Sequence, residues 1–303
     1  MKFDDSDSWA ILSEIEKSIT SKIDAVGTPL KDWDIQINFG IKTGFNDAFI
    51  IDSQTKDEIL SKCTSAYERV RTTEIIRPIL RGRDIKRYSY QYAGLYLIST
   101  FPAKGYDIDD YPAVKDYLLK FGIERLEQTG KEHIINGERV KARKKTSNKW
   151  YETQDSISYW DLLSQPKIIW GEISDKSKFC IDLHGRYVPE ATTFMLSGEN
   201  LIYLLAFLNC SVSEYLFSII GTTTGVGTVR WKKYKILELP VPKSIPNDLY
   251  SQLLEVCSQT IESSDNDSNE SKINSIIYQV YGLSEDEIEF IESKIYPSKH
   301  SSL

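Results

Sequence analysis

Two glycine-bearing loops are the first candidates for chemistry in this chain: FGIKTGFNDAFIID (Phe39 to Asp52) and GTTTGVG (Gly221 to Gly227). A nucleotide or S-adenosylmethionine site runs from a strand through a glycine loop into a helix, whose first N–H groups face the ligand. After Gly44 the chain carries two aromatics and two isoleucines and no helix start. Phe39 to Asp52 therefore reads as a glycine turn between two strands, a hairpin. The second loop follows a helical pattern and precedes a strand, the reverse of the order a dinucleotide site needs, and reads as a turn.

Other chemistry finds less support. A methyltransferase that grips a base amino group needs an Asn/Asp-Pro-Pro-aromatic motif, and the sequence has no Pro-Pro pair. Glu292-Ser-Lys294 and Asp84-Ile-Lys86 have the letters of a metal-dependent nuclease. The first sits on an exposed helical pattern, and the second lies among arginines that repel a divalent cation. Cys63, Cys180, Cys210 and Cys257 are far apart, as are His133, His184 and His300. That spacing predicts neither a metal site nor a nucleophile paired with a base, and it fits reduced thiols in a cytoplasmic protein. No basic-then-apolar leader opens the sequence. The apolar run Leu201 to Ile220 is interrupted by Asn209, Ser211, Ser213 and Glu214, so a buried helix is expected there rather than a membrane span.

Charge is more telling. The net charge is −7, but it is unevenly placed. Residues 1–34 carry 4 basic and 8 acidic side chains, residues 247–303 carry 3 and 11, and the middle, 35–246, carries 30 and 25. A basic middle between acidic ends suits a polyanionic partner better than the total suggests. Three clusters concentrate the cations. IRPILRGRDIKRY (Ile76 to Tyr88) holds Arg77, Arg81, Arg83, Lys86 and Arg87; RVKARKKTSNK (Arg139 to Lys149) holds Arg139, Lys141, Arg143, Lys144, Lys145 and Lys149; Arg230-Trp231-Lys232-Lys233 is the third. Each borders Tyr, Trp or Thr, residue types that meet phosphates, sugars and bases. Each also has a plainer reading as a solvated face. Lys42, Thr43 and Asn46 fall at the expected hairpin tip, where Asn46 either reaches a base edge or builds the turn.

The elements that must position these residues follow from periodicity. Residues 8–24 place Ile11, Ile15, Ile19 and Ile23 on one stripe, with Trp9 and Leu12 beside it, as an acidic helix ended by Gly27-Thr28-Pro29. Strands and turns are expected from Ile35 to Thr100, with a polar helix near 55–68 and a strand at Ala93 to Thr100. Asp109 or Asp110 caps a helix over Tyr111 to Leu126, with proline in its first turn. Gln165 to Ser174 reads as a buried strand and residues 199–220 as one long helix. A basic strand follows the second glycine loop. Acidic helices are expected near 247–262, 271–281 and 284–295, the last opened by a Ser284/Glu287 capping box.

Taken in order, FGIKTGFNDAFIID, IRPILRGRDIKRY, YPAVKDYLLKF, QPKIIWGEIS, LIYLLAFLNCSVSEYLF, ELPVP and IYQVYGLSEDEIEFIE resemble the TaqI-like C-terminal specificity domain. That domain belongs to type IIG restriction–modification enzymes and adenine-specific DNA methyltransferases. The resemblance covers roughly residues 30–295. It implies a mixed α/β (α+β) fold, a β-rich target-recognition domain with a flanking helical spacer. The divisions expected are a spacer helix over 1–30, the DNA target-recognition domain over 31–245, and a helical spacer over 246–303. It also implies a chain that is not catalytic by itself and reads double-stranded DNA for an adenine methyltransferase domain or subunit, which would hold the S-adenosylmethionine. The expected DNA contacts are Lys42, Thr43, Asn46, Arg81, Arg83, Lys86, Arg139, Lys141, Arg143, Lys144, Lys145, Lys149, Arg230, Trp231 and Lys232. The other reading is a protein-interaction module that docks on a methyltransferase and has little DNA affinity of its own.

Overall fold

The computed structural model describes residues 13–223, 228–263 and 267–296. It opens on helix α1 (Glu14–Val26), followed by β1 (Thr28–Pro29) and β2 (Ile35–Phe39). Next come α2 (Asn46–Phe49), β3 (Ile50–Asp52), α3 (Ser53–Ser61), α4 (Ala66–Ile75), β4 (Ile76–Leu80) and β5 (Leu95–Ile98). Helices α5 (Pro112–Leu119) and α6 (Ile123–Leu126) precede a ribbon of β6 (Glu132–Ile135) and β7 (Glu138–Lys141). Five strands follow: β8 (Lys167–Gly171), β9 (Ile173–Ser174), β10 (Phe179–Asp182), β11 (Val188–Pro189) and β12 (Thr193–Gly198). The remainder is α7 (Leu201–Asn209), α8 (Ser211–Ile220), β13 (Thr222–Thr223), β14 (Val229–Arg230), α9 (Lys233–Ile236), β15 (Pro240–Val241), α10 (Asn247–Glu262), α11 (Asp267–Tyr281) and α12 (Glu285–Ile295). The class is mixed α+β.

An antiparallel sheet of order β10-β8-β12-β2 forms the centre. Side chains alternate along a strand, and here both sets are buried. Ile37, Ile168, Trp170, Phe179, Phe194 and Leu196 point into one core with α1, α7, α8 and the three last helices. Ile169, Cys180 and Met195 point into a second core shared with β3, β4, β5 and α5. A strand covered on both faces needs a continuous apolar run, which is what Lys167–Gly171 supplies. Trp170 lies flat on Phe194, with centroids 5.4 Å apart. The Lys167 ammonium is buried with it and pairs with Asp182 at 2.8 Å.

The expected hairpin at Phe39 to Asp52 does not form. β2 joins the central sheet, whereas β3 joins a second sheet of order β11-β4-β5-β3. Between them lie a single bridge, Ile41 to Glu190, and the short helix α2. Ile50 and Ile51 serve β3, and Ala48 and Phe49 anchor the helical turn in the second core. Local alternation could not reveal that the strand partners lie over a hundred residues downstream in one sheet and about forty-five in the other.

Other elements differ in detail. The helix expected over 55–68 is two, α3 and α4. The helix over 111–126 breaks at Gly122, whose φ is +78°. Its start is not capped by Asp109 or Asp110, which instead pair with Lys115 and Arg71; Asp107 caps the preceding 3-10 turn. The apolar run at 201–220 bends by 64° between α7 and α8, where the Cys210 thiol caps α8. No single helix among the described residues is long and apolar enough to cross a membrane, and most side chains of α7 and α8 belong to the first core. After β14 the basic segment turns into α9 rather than continuing as a strand. Trp9, Ile11, Leu12 and Thr224–Gly227 lie outside the described residues. All four cysteines are free, three of them buried.

The helices at the two ends of the chain pack together. Ile19 and Ile23 of α1 are fully buried with Ile273, Ile277 and Ile291 of α11 and α12. The Ser284 capping box forms as expected. Its Glu287 carboxylate also accepts from Ser18 and Lys22, each at 2.7 Å. Burial alone would raise the Glu287 pKa, but these bonds outweigh it and hold the carboxyl at about 2. A depressed carboxyl stabilises the fold above its unfolded value and loses that contribution as the pH falls toward its folded value. Glu287→Gln should therefore lower the melting temperature at pH 7. The gap between the two proteins should narrow as the pH drops from about 4.5 toward 2. Thermal unfolding followed by circular dichroism across that range measures it.

Candidate nucleic-acid interface

Of the five cations in Ile76 to Tyr88, three hold the fold. Arg77 donates to the Leu163 and Gly185 carbonyls. Arg87 pairs with Glu270 at 2.8 Å and with Glu214 at 3.3 Å, and donates to Ser177 and to the Asn209 carbonyl. This clamp joins the segment after β4 to α8 and α11. Arg81 was expected among the DNA contacts, but its guanidinium grips Asp84 at 2.7 and 2.9 Å, and Asp84 also accepts the Arg81 N–H. The pair shapes the turn and uses up its own charge. Arg83 and Lys86 remain exposed, without a carboxylate partner among the described residues. They line a cavity of about 530 Å³ with Gly171–Asp175, Lys178 and Thr192.

The second cluster divides in the same way. Arg143 was expected among the DNA contacts, but it is 2% exposed. Its guanidinium donates to the carbonyls of Leu126, Thr43, Glu152 and Trp150, at 2.6 to 2.8 Å. Burial, and then the nearby Arg125 charge, push its pKa down to about 10, so it stays charged at neutral pH. A planar fork with five donors suits this stitching of carbonyls. Arg139, Lys141, Lys144, Lys145 and Lys149 are exposed.

Arg143 also fixes the turn at Lys42 to Asn46. Gln154 donates its N–H to the Lys42 carbonyl. Thr43 was expected at a surface tip but is buried; its hydroxyl donates to Asn46 Oδ1 at 2.6 Å and accepts from the Phe45 N–H. Asn46, although exposed, is therefore a turn builder here. Gly44 has φ +76°, and a Cβ there would come within 2.6 Å of Gln154 Oε1. Lys42 alone projects, 4.0 Å from Asp155 with both side chains about half exposed, an arrangement that contributes little to stability.

In the third cluster, Trp231 was expected near DNA and is instead core. Its ring stacks on Phe217 at 4.0 Å and meets Phe179 edge-on, while its carbonyl accepts from Trp170 Nε1. Arg230 pairs with Glu172 at 2.9 Å, both groups partly exposed. Lys232 is half-buried, 5.7 Å from the Tyr234 ring.

Backbone contacts join the three clusters in one line. Residues 143–154 touch Lys42–Gly44; Gly40 and Ile41 bond to Thr193 and Pro189; Glu190 bonds to Leu80; Glu172 bonds to Thr192 and Trp231. The exposed members of this line, Lys42, Arg83, Lys86, Lys144, Lys145 and Lys149, and the half-buried Lys232 thus sit on neighbouring loops. Sequence reasoning missed two exposed aromatics on the same line, Phe39 at 52% and Tyr234 at 54%. The interleaving of Tyr234 between lysines was the available signal. Among the described residues no three His, Cys, Asp or Glu side chains come together to hold a metal.

The division of the second cluster is testable by stability. Arg143→Ala removes the guanidinium donor from the Leu126, Thr43 and Trp150 carbonyls, while Glu152 keeps Gln128 Nε2; each carbonyl left buried without a donor costs about 1–3 kcal/mol, so the urea midpoint should fall sharply. Arg143→Lys should recover little of the loss. Lys144→Ala and Lys145→Ala should leave the midpoint unchanged.

The comparisons agree with this architecture. Residues 77–241 match the family described as the TaqI-like C-terminal specificity domain. The chain is 25% identical over 295 residues to the Type II methyltransferase M.BstVI of Geobacillus stearothermophilus, covering 95% of this chain and 46% of that protein. It is 22% identical to the Type II methyltransferase M.PaeR7I of Pseudomonas aeruginosa, covering 92% and 44%. The chain thus spans less than half the length of these relatives. Among solved structures, the Type IIL restriction-modification enzyme MmeI in complex with DNA matches in fold, with a TM-score of 0.57 and 12% identity over 91% of this chain and 37% of that one. The type IIG restriction endonuclease BpuSI matches with a TM-score of 0.51 and 13% identity over 88% and 33%. With more than half of its residues in that match, the chain belongs to the TaqI-like C-terminal specificity domain family.

Proposed function

We propose that this chain recognises a short sequence in duplex DNA and directs an N6-adenine methyltransferase to it, without catalysing methylation itself. The observation that carries this reading is the set of cations, none buried and none in a tight ion pair, collected on one line of loops: Lys42, Arg83, Lys86, Lys144, Lys145, Lys149 and Lys232. They stand apart from the cations that the fold uses internally. The membership in a specificity-domain family and the likeness to methyltransferases about twice as long support it. S-adenosylmethionine would belong to the methyltransferase domain or subunit. The acidic helices α10, α11 and α12 suit the side away from DNA, because their carboxylates repel phosphates.

Each cation that neutralises a phosphate adds about 0.9 to the slope of log affinity against log salt. Replacing Lys144 and Lys145 together by Ala should lower the slope by nearly two such steps and weaken all duplexes alike. Replacing Arg83 and Lys86 should do the same. Fluorescence anisotropy with a labelled random duplex, titrated at several salt concentrations, reads both. An unchanged slope in both variants, or no binding by the parent chain at low salt, refutes the reading.

A further inference from the structure

Strands β6 and β7 pair with each other and with no other strand among the described residues. The turn of this ribbon is Asn136-Gly137, with φ of +51° and +83°, the two positive values that a tight two-residue hairpin needs. A Cβ placed on Gly137 would meet nothing within 4 Å. The ribbon is tied down at its base, where Ala142 bonds to Lys131 and Arg125 donates to the Lys141 carbonyl.

Its two faces differ. Directly paired residues share a face, and the register is Glu132 with Lys141, His133 with Val140, Ile134 with Arg139, and Ile135 with Glu138. His133, Ile135 and Val140 are half-buried and turn toward the protein. Glu132, Ile134, Arg139 and Lys141 make up the outer face, and Ile134 is 79% exposed. A β-branched apolar side chain opposite an arginine, both open to solvent, has no role in packing this fold.

The geometry points to this ribbon as a major-groove reader, with Arg139 and Ile134 as specificity-determining residues; the inference rests on the DNA-reading function proposed above. Four residues per strand give a length of about 14 Å. The major groove is about 12 Å wide and 8.5 Å deep and admits a two-stranded ribbon. The outer face carries groups that answer base edges: Arg139 a fork for guanine, Ile134 an apolar surface for the thymine methyl, Glu132 an acceptor for the cytosine amine. Lys144 and Lys145 follow the ribbon directly in sequence, where flanking phosphates would lie. The ribbon's two carboxylates, Glu132 on the outer face and Glu138 at the turn end of the inward-facing row, both repel a phosphate nearby.

The test is selection of bound duplexes from a randomised library by the full chain, followed by affinity measurement on the selected sequence and its single-base variants. Arg139→Ala and Ile134→Ala should each erase the preference at one or two adjacent positions, by roughly 10- to 100-fold for Arg139, and leave the other positions and the melting temperature unchanged. Arg139→Lys keeps the charge and should lose the base preference while retaining the salt slope. Equal weakening of every duplex by Arg139→Ala, with a lower salt slope and full recovery by Lys, would reduce the ribbon to a backbone contact and overturn the inference while leaving the proposed function intact. A parent chain that binds duplexes with no sequence preference overturns both.

Discussion

The central sheet is buried on both faces, and that constraint governs where everything else can be. With Trp170, Phe179 and Phe194 committed to one core and Ile169, Cys180 and Met195 to the other, strands β8, β10 and β12 leave almost no surface to meet a ligand, and exposed side chains of the sheet are confined to its edge strand β2. Partners can be met only by that edge, by strand ends, by the loops that leave them, and by elements that never joined the sheet. The exposed lysines and arginines lie in those places. The helical end exists for the same reason, since α7 and α8 cover one face and the helices behind them cover α7 and α8.

Basic residues in this chain do two kinds of work that composition cannot separate. Arg77, Arg87 and Arg143 bring buried carbonyls of distant segments together, and Lys167 is held against Asp182 inside the core. Guanidinium groups are weakly hydrated and rich in donors, so they lose less on burial than an ammonium and can satisfy several acceptors at once. The cations left over are mostly lysines with short-range freedom. The effective positive surface is therefore smaller than the charge count of the middle region suggests, and it is concentrated in fewer loops.

Periodicity made the helical parts legible. The isoleucine stripe of α1, the three final helices and the Ser284 capping box follow from local spacing. Lys167–Gly171 was legible as a buried strand because its run is continuous. Long-range pairing was not: the two halves of Phe39 to Asp52 belong to different sheets, and nothing in their own pattern says so. The ribbon at Glu132–Lys141 was legible and overlooked, since Asn-Gly between β-branched residues is a strong hairpin signal. At the site, the identity of the clusters could be read, but the fate of Arg143 and Trp231 could not. An arginine in a run of lysines looks solvated until the carbonyls that surround it are known. A tryptophan beside lysines looks exposed until Phe217 is placed beneath it.

The short pairing of β1 with β15 has an architectural meaning. Thr28 lies against Val241, and Leu30 donates its N–H to the Leu239 carbonyl. Some two hundred residues are thereby gathered into a closed loop that leaves and returns at one point. At that point stands the helical bundle of α1 with α10–α12, which shares one core with the central sheet through α7 and α8, and the loops that carry the exposed cations lie on the segment between. Such a plan behaves like a clasp: ends far apart in sequence are fastened at one point, and the segment between them is held as a single closed piece.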